Sequence, residues 1–548
     1  MQRSPKQIEL AATLGISAIF TGWSAAFIHR SSFIAIDGKR YFALFDDAMI
    51  SMRYAWNFAH GPGLVWNPGE TVQGYTNLLM TLFMAVAALL LDKSAAVLAV
   101  QVSGAVLMVA VAFTTSGIAG KIAPNLPAQH QSPIRVLVFA GALAYYPLAY
   151  WSLMGMETGL LTLLLLLGTY YALDYTDTLR ASRLLWVAVF LGLAGLTRND
   201  STVFALLIWT FLMVSAMLSG ISIHRLWPVG AAFALYALFH IGQMYFQLAT
   251  YGEWLPNTYT LKLTGMPLTD RVRSGVGFVL PFLIEIGVLL PVVLIGLVLR
   301  RTGRKLLLAA MFAASLAYQI YVGGDPWAYW RIMSPTMPLL VTLFVTTLYE
   351  IITSMVESPL TPRAGPYHRV QAGLLSPMVL VTMLTVVGLM VVNLRFVYEI
   401  ALISPPYQKE ANLDNVNTAI ALTQVTTPDA TVGVYWAGAI PYYSGLRAID
   451  FLGKSDRYIA NLPPDVSGAV AWSGMKSVPG HNKYDLDYSI KTLLPTYVQG
   501  FNWGSQDLTE WADARYRTVS YLGVTLNLLT DSPYVLWYLV EDASGRQQ

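Results

Sequence analysis

Apolar stretches of about 20 residues recur between residues 8 and 393, and that recurrence leaves the chain few folds to choose from. A helix of that length spans a bilayer, and inside lipid every backbone N–H and C=O must be satisfied within the protein. Charge is correspondingly scarce. Only 12% of the 548 residues are charged, against about 25% in an ordinary soluble domain, and mean hydropathy is +0.52. Spans are predicted at 8–28, 95–117, 135–152, 156–173, 184–197, 200–219, 226–248, 276–299, 306–322, 332–352 and 373–393, eleven in all. The run after "MQRSPKQ" lacks a small-residue cleavage site and reads as a retained first span. A further apolar piece, 77–91, is short for a crossing and is followed at once by Asp92 and Lys93. It reads as a juxtamembrane or re-entrant helix.

The basic residues fix the orientation. With Arg3 and Lys6 inside, Lys121, Arg135, Arg180, Arg183, Arg225, "RRTGRK" (300–305), Arg363 and Arg369 all fall on the same side. The reverse orientation puts nearly every basic loop outside. Eleven crossings then place 394–548 outside as a small α/β domain, after a membrane domain at 1–393 whose first outer loop is 31–94. In that outer domain "TVGVYW" (431–436) is predicted as a strand, and "AGAIPYYSG" as the turn after it. The chain has no cysteine, which excludes disulfides, a thiolate nucleophile and Cys-ligated metal. A net charge of +3 with no basic block argues against nucleic acid. The expected class is thus an α-helical polytopic membrane protein with a small outer α/β domain, acting as a monomer.

This topology sorts the rare polar residues onto one face. Asp46 and Asp47 lie in the first outer loop, Glu157 at the outer start of a span, and Arg198 in the outer turn "LTRND". Lys262, in "PNTYTLK", and Asp325 and Arg331, in "GGDPWAYWRIMSP", are outer as well. Two like charges side by side, followed by the irregular "HGPGLVWNPGE", point to a cavity, because irregular backbone at a membrane surface is tolerated mainly where it lines one. A carboxylate there can serve as general base. Asp46, Asp47 and Glu157 could also share a divalent cation, Mg²⁺ or Ca²⁺, since the ligands are all oxygens. Arg53, Arg198, Lys262 and Arg331 are candidates to hold a phosphate. A base, a phosphate clamp and access to lipid suit transfer of a sugar from a polyprenyl phosphate. His60, Tyr75, Asp325, Trp330, Trp436 and Tyr442 are candidates for acceptor contact, the aromatic rings because their flat faces suit sugars.

At this point the sequence resembles a family. "FDDAMISMRYAWNFAHGPGLVWNPGETVQGYTNLLMTL" looks like the first outer loop of the GT-C glycosyltransferases, whose relatives include protein O-mannosyltransferases and the lipid A aminoarabinose transferase. With "SLMGMETGLLTLLLLL", "AGLTRNDS", "PNTYTLK", "GGDPWAYWRIMSPTMPLL" and "VYWAGAIPYYSGLRAIDFLGKSD", it looks most like the branch with the mycobacterial terminal β-(1→2) arabinofuranosyltransferase. The resemblance implies inverting transfer of a sugar, arabinofuranose in that branch, from a polyprenyl-phosphate donor to a cell-envelope glycan or protein. The reaction would take place on the periplasmic face of a bacterial inner membrane. It implies Asp46 or Asp47 as the base, with Asp46, the first of the pair, preferred, and Glu157 as a further acidic group. "LTRND" departs from the Pro–acid pair common after that Arg, and the outer domain is small for the mycobacterial enzymes. The competing class is a transporter or flippase of lipid-linked sugars. Such proteins place ionisable groups near the midplane, often in repeated halves. Here the acids gather at one face, and no repeated half is visible in the sequence.

Overall fold

A computed structural model of the chain describes residues 4–124, 126–220, 226–356, 376–471 and 475–542. Arg3, Arg225, Arg363 and Arg369, which carry part of the orientation argument, lie outside the described residues. Seven helices are long and apolar enough to cross a membrane: Pro5–Ser31, Lys93–Ile122, Thr158–Thr178, Asn199–Leu218, Trp227–Tyr251, Gly303–Val322 and Ser334–Met355. Three bent pairs raise the number to ten: Gln129–Ala144 with Tyr146–Leu153, Leu268–Glu285 with Leu290–Leu299, and Pro377–Val392 with Leu394–Ile400. The remaining predicted span is the shorter apolar helix Ala181–Thr197. The chain is a multi-pass, mostly helical membrane protein.

The breaks have local causes. Pro147 opens the second half of the first pair, and the freed Tyr146 N–H is caught by Asn393 Oδ1 at 3.0 Å. The sharpest bend, 87°, precedes Pro291 in the first turn of Leu290–Leu299. Where Lys93–Ile122 crosses Tyr146–Leu153 the backbones touch, and a Cβ on Gly104 would stand 2.1 Å from the Ser152 carbonyl oxygen. A small residue is the usual device for such close contact in membranes.

The two ends of the bundle differ in chemistry. At one end Lys121 pairs with Asp174 and Asp177, Arg183 with Asp174 at 2.6 Å, Arg304 with Asp177, and Lys305 with Glu350 at 2.6 Å. These are the basic loops assigned to the inner side. The other end carries Asp47, Arg198, Lys262, Asp325 and Arg331, together with the C-terminal region. The apolar piece after the first outer loop forms Leu78–Leu90, which is 13 residues long. At 1.5 Å per residue it reaches about 20 Å, short of a roughly 30 Å hydrocarbon core. Met80 and Met84 pack against Met49 and Met52 of the helix Asp46–Ala59, while Leu82, Phe83, Val86 and Leu89 are exposed.

The C-terminal region folds around a six-stranded mixed sheet, ordered Glu541–Asp542, Tyr516–Tyr521, Val524–Leu529, Tyr497–Val498, Thr431–Val434, Arg447–Asp450. The predicted strand at 431–436 is present as Thr431–Val434. The turn predicted after it is instead the helix Ala439–Ser444, closed by Gly445 at φ +72°. The reason is topological: Thr431–Val434 pairs in parallel with Arg447–Asp450, and parallel neighbours require a crossover that a tight turn cannot make.

Candidate active site

The helix Asp46–Ala59 begins with both aspartates in its first turn, where the N-terminal end of the helix dipole favours carboxylates. Successive helical residues point about 100° apart, so the two acids face different surroundings. Asp46 Oδ1 accepts a hydrogen bond from the Ala439 N–H at 3.1 Å. A Cβ on Gly438 would stand 2.2 Å from the Asp46 carbonyl oxygen, so only glycine allows this approach. Burial pushes the Asp46 carboxyl up to about 6, against the opposing pull of Lys454. Asp47 faces a cavity of about 250 Å³. Its Oδ2 accepts from Arg331 Nη1 at 2.9 Å, and its Oδ1 is paired with Lys454 Nζ. Burial disfavours this charge, but Lys454, Arg331 and Lys262 together outweigh it and hold the carboxyl well below the usual range.

Arg331 is in turn fixed by Asp325, Nε to Oδ2 at 3.0 Å and Nη2 to Oδ1 at 3.1 Å. Arg198 is held from two sides, by Glu157 Oε1 at 2.8 Å and by Asp200 at 2.9 and 2.6 Å. The other Glu157 oxygen accepts from Asn77 Nδ2 at 3.1 Å, and Asn77 Oδ1 accepts from Ser51 at 2.9 Å. Among the described residues, Lys262 is the cavity cation with no ion-pair partner. Burial, then repulsion from Arg331, lowers its ammonium to about 8. The cavity lining also includes the apolar side chains of Leu255, Pro256, Leu263 and Val322.

The structure brings together Asp47, Arg198, Lys262, Asp325 and Arg331, with Glu157 behind Arg198 and Tyr75 in an adjoining recess. Of the adjacent pair, Asp47 lines the cavity, and the preferred candidate Asp46 is directed instead at the Ala439 N–H. Four other candidates lie elsewhere. Arg53 is buried and donates to the carbonyls of Trp66 (2.6 Å), Leu446 (2.8 Å) and Pro441 and to Asn67 Oδ1 (2.9 Å). It ties the first outer loop to the C-terminal region, and its donors are spent on that task. His60 ends the helix Asp46–Ala59 and stacks on Trp56 at 4.1 Å. Trp330 turns away and donates to Glu285 at 2.9 Å. Tyr442 donates to the Lys93 carbonyl at 3.0 Å. Trp436 sits beside Trp327, which lines the cavity.

The residues proposed for a divalent cation do not fit one. Both Asp47 oxygens are taken by cations, both Glu157 oxygens have donors, and Asp46 is directed at Ala439. Among the described residues no three His, Cys, Asp or Glu side chains are grouped to ligate a metal. Sequence reasoning missed Lys454, Asp200, His481 and Trp327. Lys454 follows the last strand of the parallel pair in "FLGKSD", and His481 follows a Pro–Gly turn. His481 sits in no pattern that marks a site, Lys454 falls near the end of the motif "VYWAGAIPYYSGLRAIDFLGKSD" without being singled out there, and only the folded C-terminal region carries them to Asp47.

Residues 401–537 match a domain of unknown function (DUF8728). No curated protein matches the chain. Among solved structures, the chain is similar to ArnT from Cupriavidus metallidurans bound to undecaprenyl phosphate, at 11% identity, covering 80% of this chain and 85% of that one with a TM-score of 0.53. The apo state of the same protein matches at 11% identity, covering 82% and 86%, with a TM-score of 0.51. The apo oligosaccharyltransferase of Archaeoglobus fulgidus matches at 11% identity, covering 96% of this chain and 75% of that one, with a TM-score of 0.50. The chain therefore has the GT-C fold: a polytopic helical bundle carrying its polar cluster, and a small sheet-containing C-terminal region, at one end.

Proposed function

We propose that this protein is an inverting glycosyltransferase that moves a sugar from a polyprenyl-phosphate donor to a cell-envelope acceptor. The observation that carries the reading is that Asp47 lines a cavity together with Lys262, Arg331 and Lys454, while the other two lining carboxylates, Asp200 and Asp325, are committed to Arg198 and Arg331. Two solved structures of the same fold support the donor class, since one is ArnT bound to undecaprenyl phosphate and the other an oligosaccharyltransferase. The donor phosphate takes the three cations, and the prenyl chain lies along Leu255, Leu263 and Val322. Each buried CH₂ of that chain contributes about 0.8 kcal/mol. The acceptor oxygen attacks the anomeric carbon from the face opposite the phosphate. The C–O bond to phosphate breaks, the phosphate leaves with the bond electrons, and Asp47 receives the hydroxyl proton.

Asp47 paired with two cations is a weak base. Asp46, at about 6, has the better proton affinity but no access to the cavity. Geometry decides first and pKa second. The donor phosphate competes for Arg331 and Lys454, and each contact it takes from Asp47 raises the proton affinity of that carboxylate. Donor binding thus creates the base, so the donor binds before the acceptor. The resemblance of the ordered motifs points to arabinofuranose as the sugar. The reading assigns the reaction to the periplasmic face of a bacterial inner membrane; the basic residues at the opposite end of the bundle support the non-cytoplasmic side.

The test is direct. Purified protein given a polyprenyl-phosphate sugar and an acceptor should release free polyprenyl phosphate and form a glycoside of inverted configuration. Movement of the intact donor across vesicles without bond cleavage would instead establish a flippase. Lys262 supplies a pH signature. Its ammonium is charged below about 8 and loses the charge as pH rises through that value. The kcat/KM for donor, which reports the free enzyme, is expected to fall above pH 8. Lys262→Arg, which stays charged, should move that limb upward. An unchanged alkaline limb in Lys262→Arg would remove Lys262 from the phosphate site.

A further inference from the structure

Beside the cation cluster the cavity wall changes character. Trp327 and His481 line the cavity, and with the half-buried Trp436 and Trp503 they close a quadrilateral of rings. The centroids stand 5.7 Å apart for Trp327–Trp436, 6.4 Å for Trp436–Trp503, 6.0 Å for Trp503–His481 and 5.7 Å for His481–Trp327. The platform is braced from behind. Tyr435 stacks on Trp503 at 5.0 Å, Trp503 Nε1 donates to the His481 carbonyl at 3.2 Å, and Gln499 Oε1 accepts from the backbone N–H of Trp436 at 3.1 Å. In the same order the rings meet at 47°, 84°, 25° and 78°, so they form an angled cluster, buried at Trp327 and His481 and half-exposed at Trp436 and Trp503.

The polar edges narrow the ligand. Among the described residues, the indole N–H groups of Trp327 and Trp436 have no hydrogen-bond partner. His481 Nδ1 lies 3.3 Å from the Pro479 carbonyl oxygen, which assigns the proton to Nδ1 and leaves Nε2 as an acceptor without a partner. Burial, and then Lys454, hold this imidazole neutral, its pKa lowered to about 3. The surface thus offers apolar faces, two N–H donors and one acceptor, and no charge of its own. Sugar rings present the complement: C–H faces flanked by hydroxyls that both donate and accept. A peptide would instead call for a row of main-chain partners, and the ring surface offers none.

We propose that the acceptor is a glycan whose terminal sugars lie on the Trp327–Trp436–Trp503–His481 platform, with the attacking hydroxyl directed at Asp47. This rests on the glycosyltransferase reading but is tested apart from it. Full-length protein in nanodiscs is titrated with an α-(1→5)-linked arabinofuranosyl hexasaccharide, with α-(1→6)-mannohexaose and with a neutral threonine-rich peptide, and intrinsic tryptophan fluorescence is followed. At least one hexasaccharide is expected to bind with a fluorescence change. Trp436→Ala should weaken that binding by about tenfold or more. Trp436→Phe, which keeps a ring and removes the N–H, should fall between. Binding by the peptide alone, no binding by either glycan, or equal binding by wild type and Trp436→Ala would overturn the platform. Glycosyl transfer that persists alongside such a result keeps the enzyme and loses the platform. Glycan binding on the platform with no Asp47-dependent transfer keeps the platform and loses the enzyme.

Discussion

Asp47→Asn is expected to lower glycosyl transfer by about 10²–10⁴-fold, the usual contribution of a positioned base, while the protein stays folded. The amide keeps the size of the side chain and an oxygen for Arg331 or Lys454, but it accepts no proton. Asp46→Asn is the matched control. Its carboxamide oxygen still accepts from the Ala439 N–H, the contact that Asp46 makes at 3.1 Å. Burial already favours the neutral form of that carboxyl, raising it to about 6. The substitution therefore removes a charge that the folded state resists. The sign follows from linkage: a raised folded-state pKa favours the fold below the unfolded value, and that advantage is lost as pH rises through about 6. Asp46→Asn should keep activity within about tenfold of wild type and abolish this part of the pH dependence. Purified variants compared for product formation and thermal unfolding check both statements. A dead Asp46→Asn beside an active Asp47→Asn would reverse the roles assigned to the pair.

That the pair needed a structure to resolve it shows where sequence reading stops. The helices were legible because lipid makes a severe demand: about 20 apolar residues, few charges and basic inner loops. Leu78–Leu90 was legible by the same rule, from its shortness. The polar residues of the cavity cluster were legible because each is costly near a bilayer and so stands out against its neighbours. What each residue faces was not. Asp46 and Asp47 are adjacent in sequence and differ by one helical step, and what separates them is Gly438, almost 400 residues later. Arg53 read as a phosphate ligand because an arginine beside two aspartates invites it, yet three carbonyls and an amide of distant segments consume its donors. Lys454 and His481 belong to a region where charge is unremarkable, and the quoted motif that contains Lys454 does not single it out. The crossover helix Ala439–Ser444 was hidden for a related reason, because the parallel pairing that requires it involves a strand further along the chain.

The second large effect concerns stability. Arg331→Met should destabilise the protein by about 3–5 kcal/mol, the cost of breaking a buried ion pair from one side. Arg331 serves two carboxylates at once: Asp325 through Nε and Nη2 at 3.0 and 3.1 Å, and Asp47 through Nη1 at 2.9 Å. The side chains of Arg331 and Asp325 are 6% and 3% exposed, so water does not replace what the guanidinium supplied. Asp47 retains Lys454, which makes Asp325 the stranded charge. The double variant Arg331→Met/Asp325→Asn should therefore recover most of the loss, because it removes both members of the bidentate pair. Its recovery should be confined to stability. Transfer should stay low in both variants, since each lacks a cation assigned to the donor phosphate. Thermal unfolding in detergent measures the first effect and product formation the second. A double variant no more stable than Arg331→Met would show that Asp325 is not the group left in distress. Restored transfer in the double variant would show that Arg331 holds the site together without touching the donor.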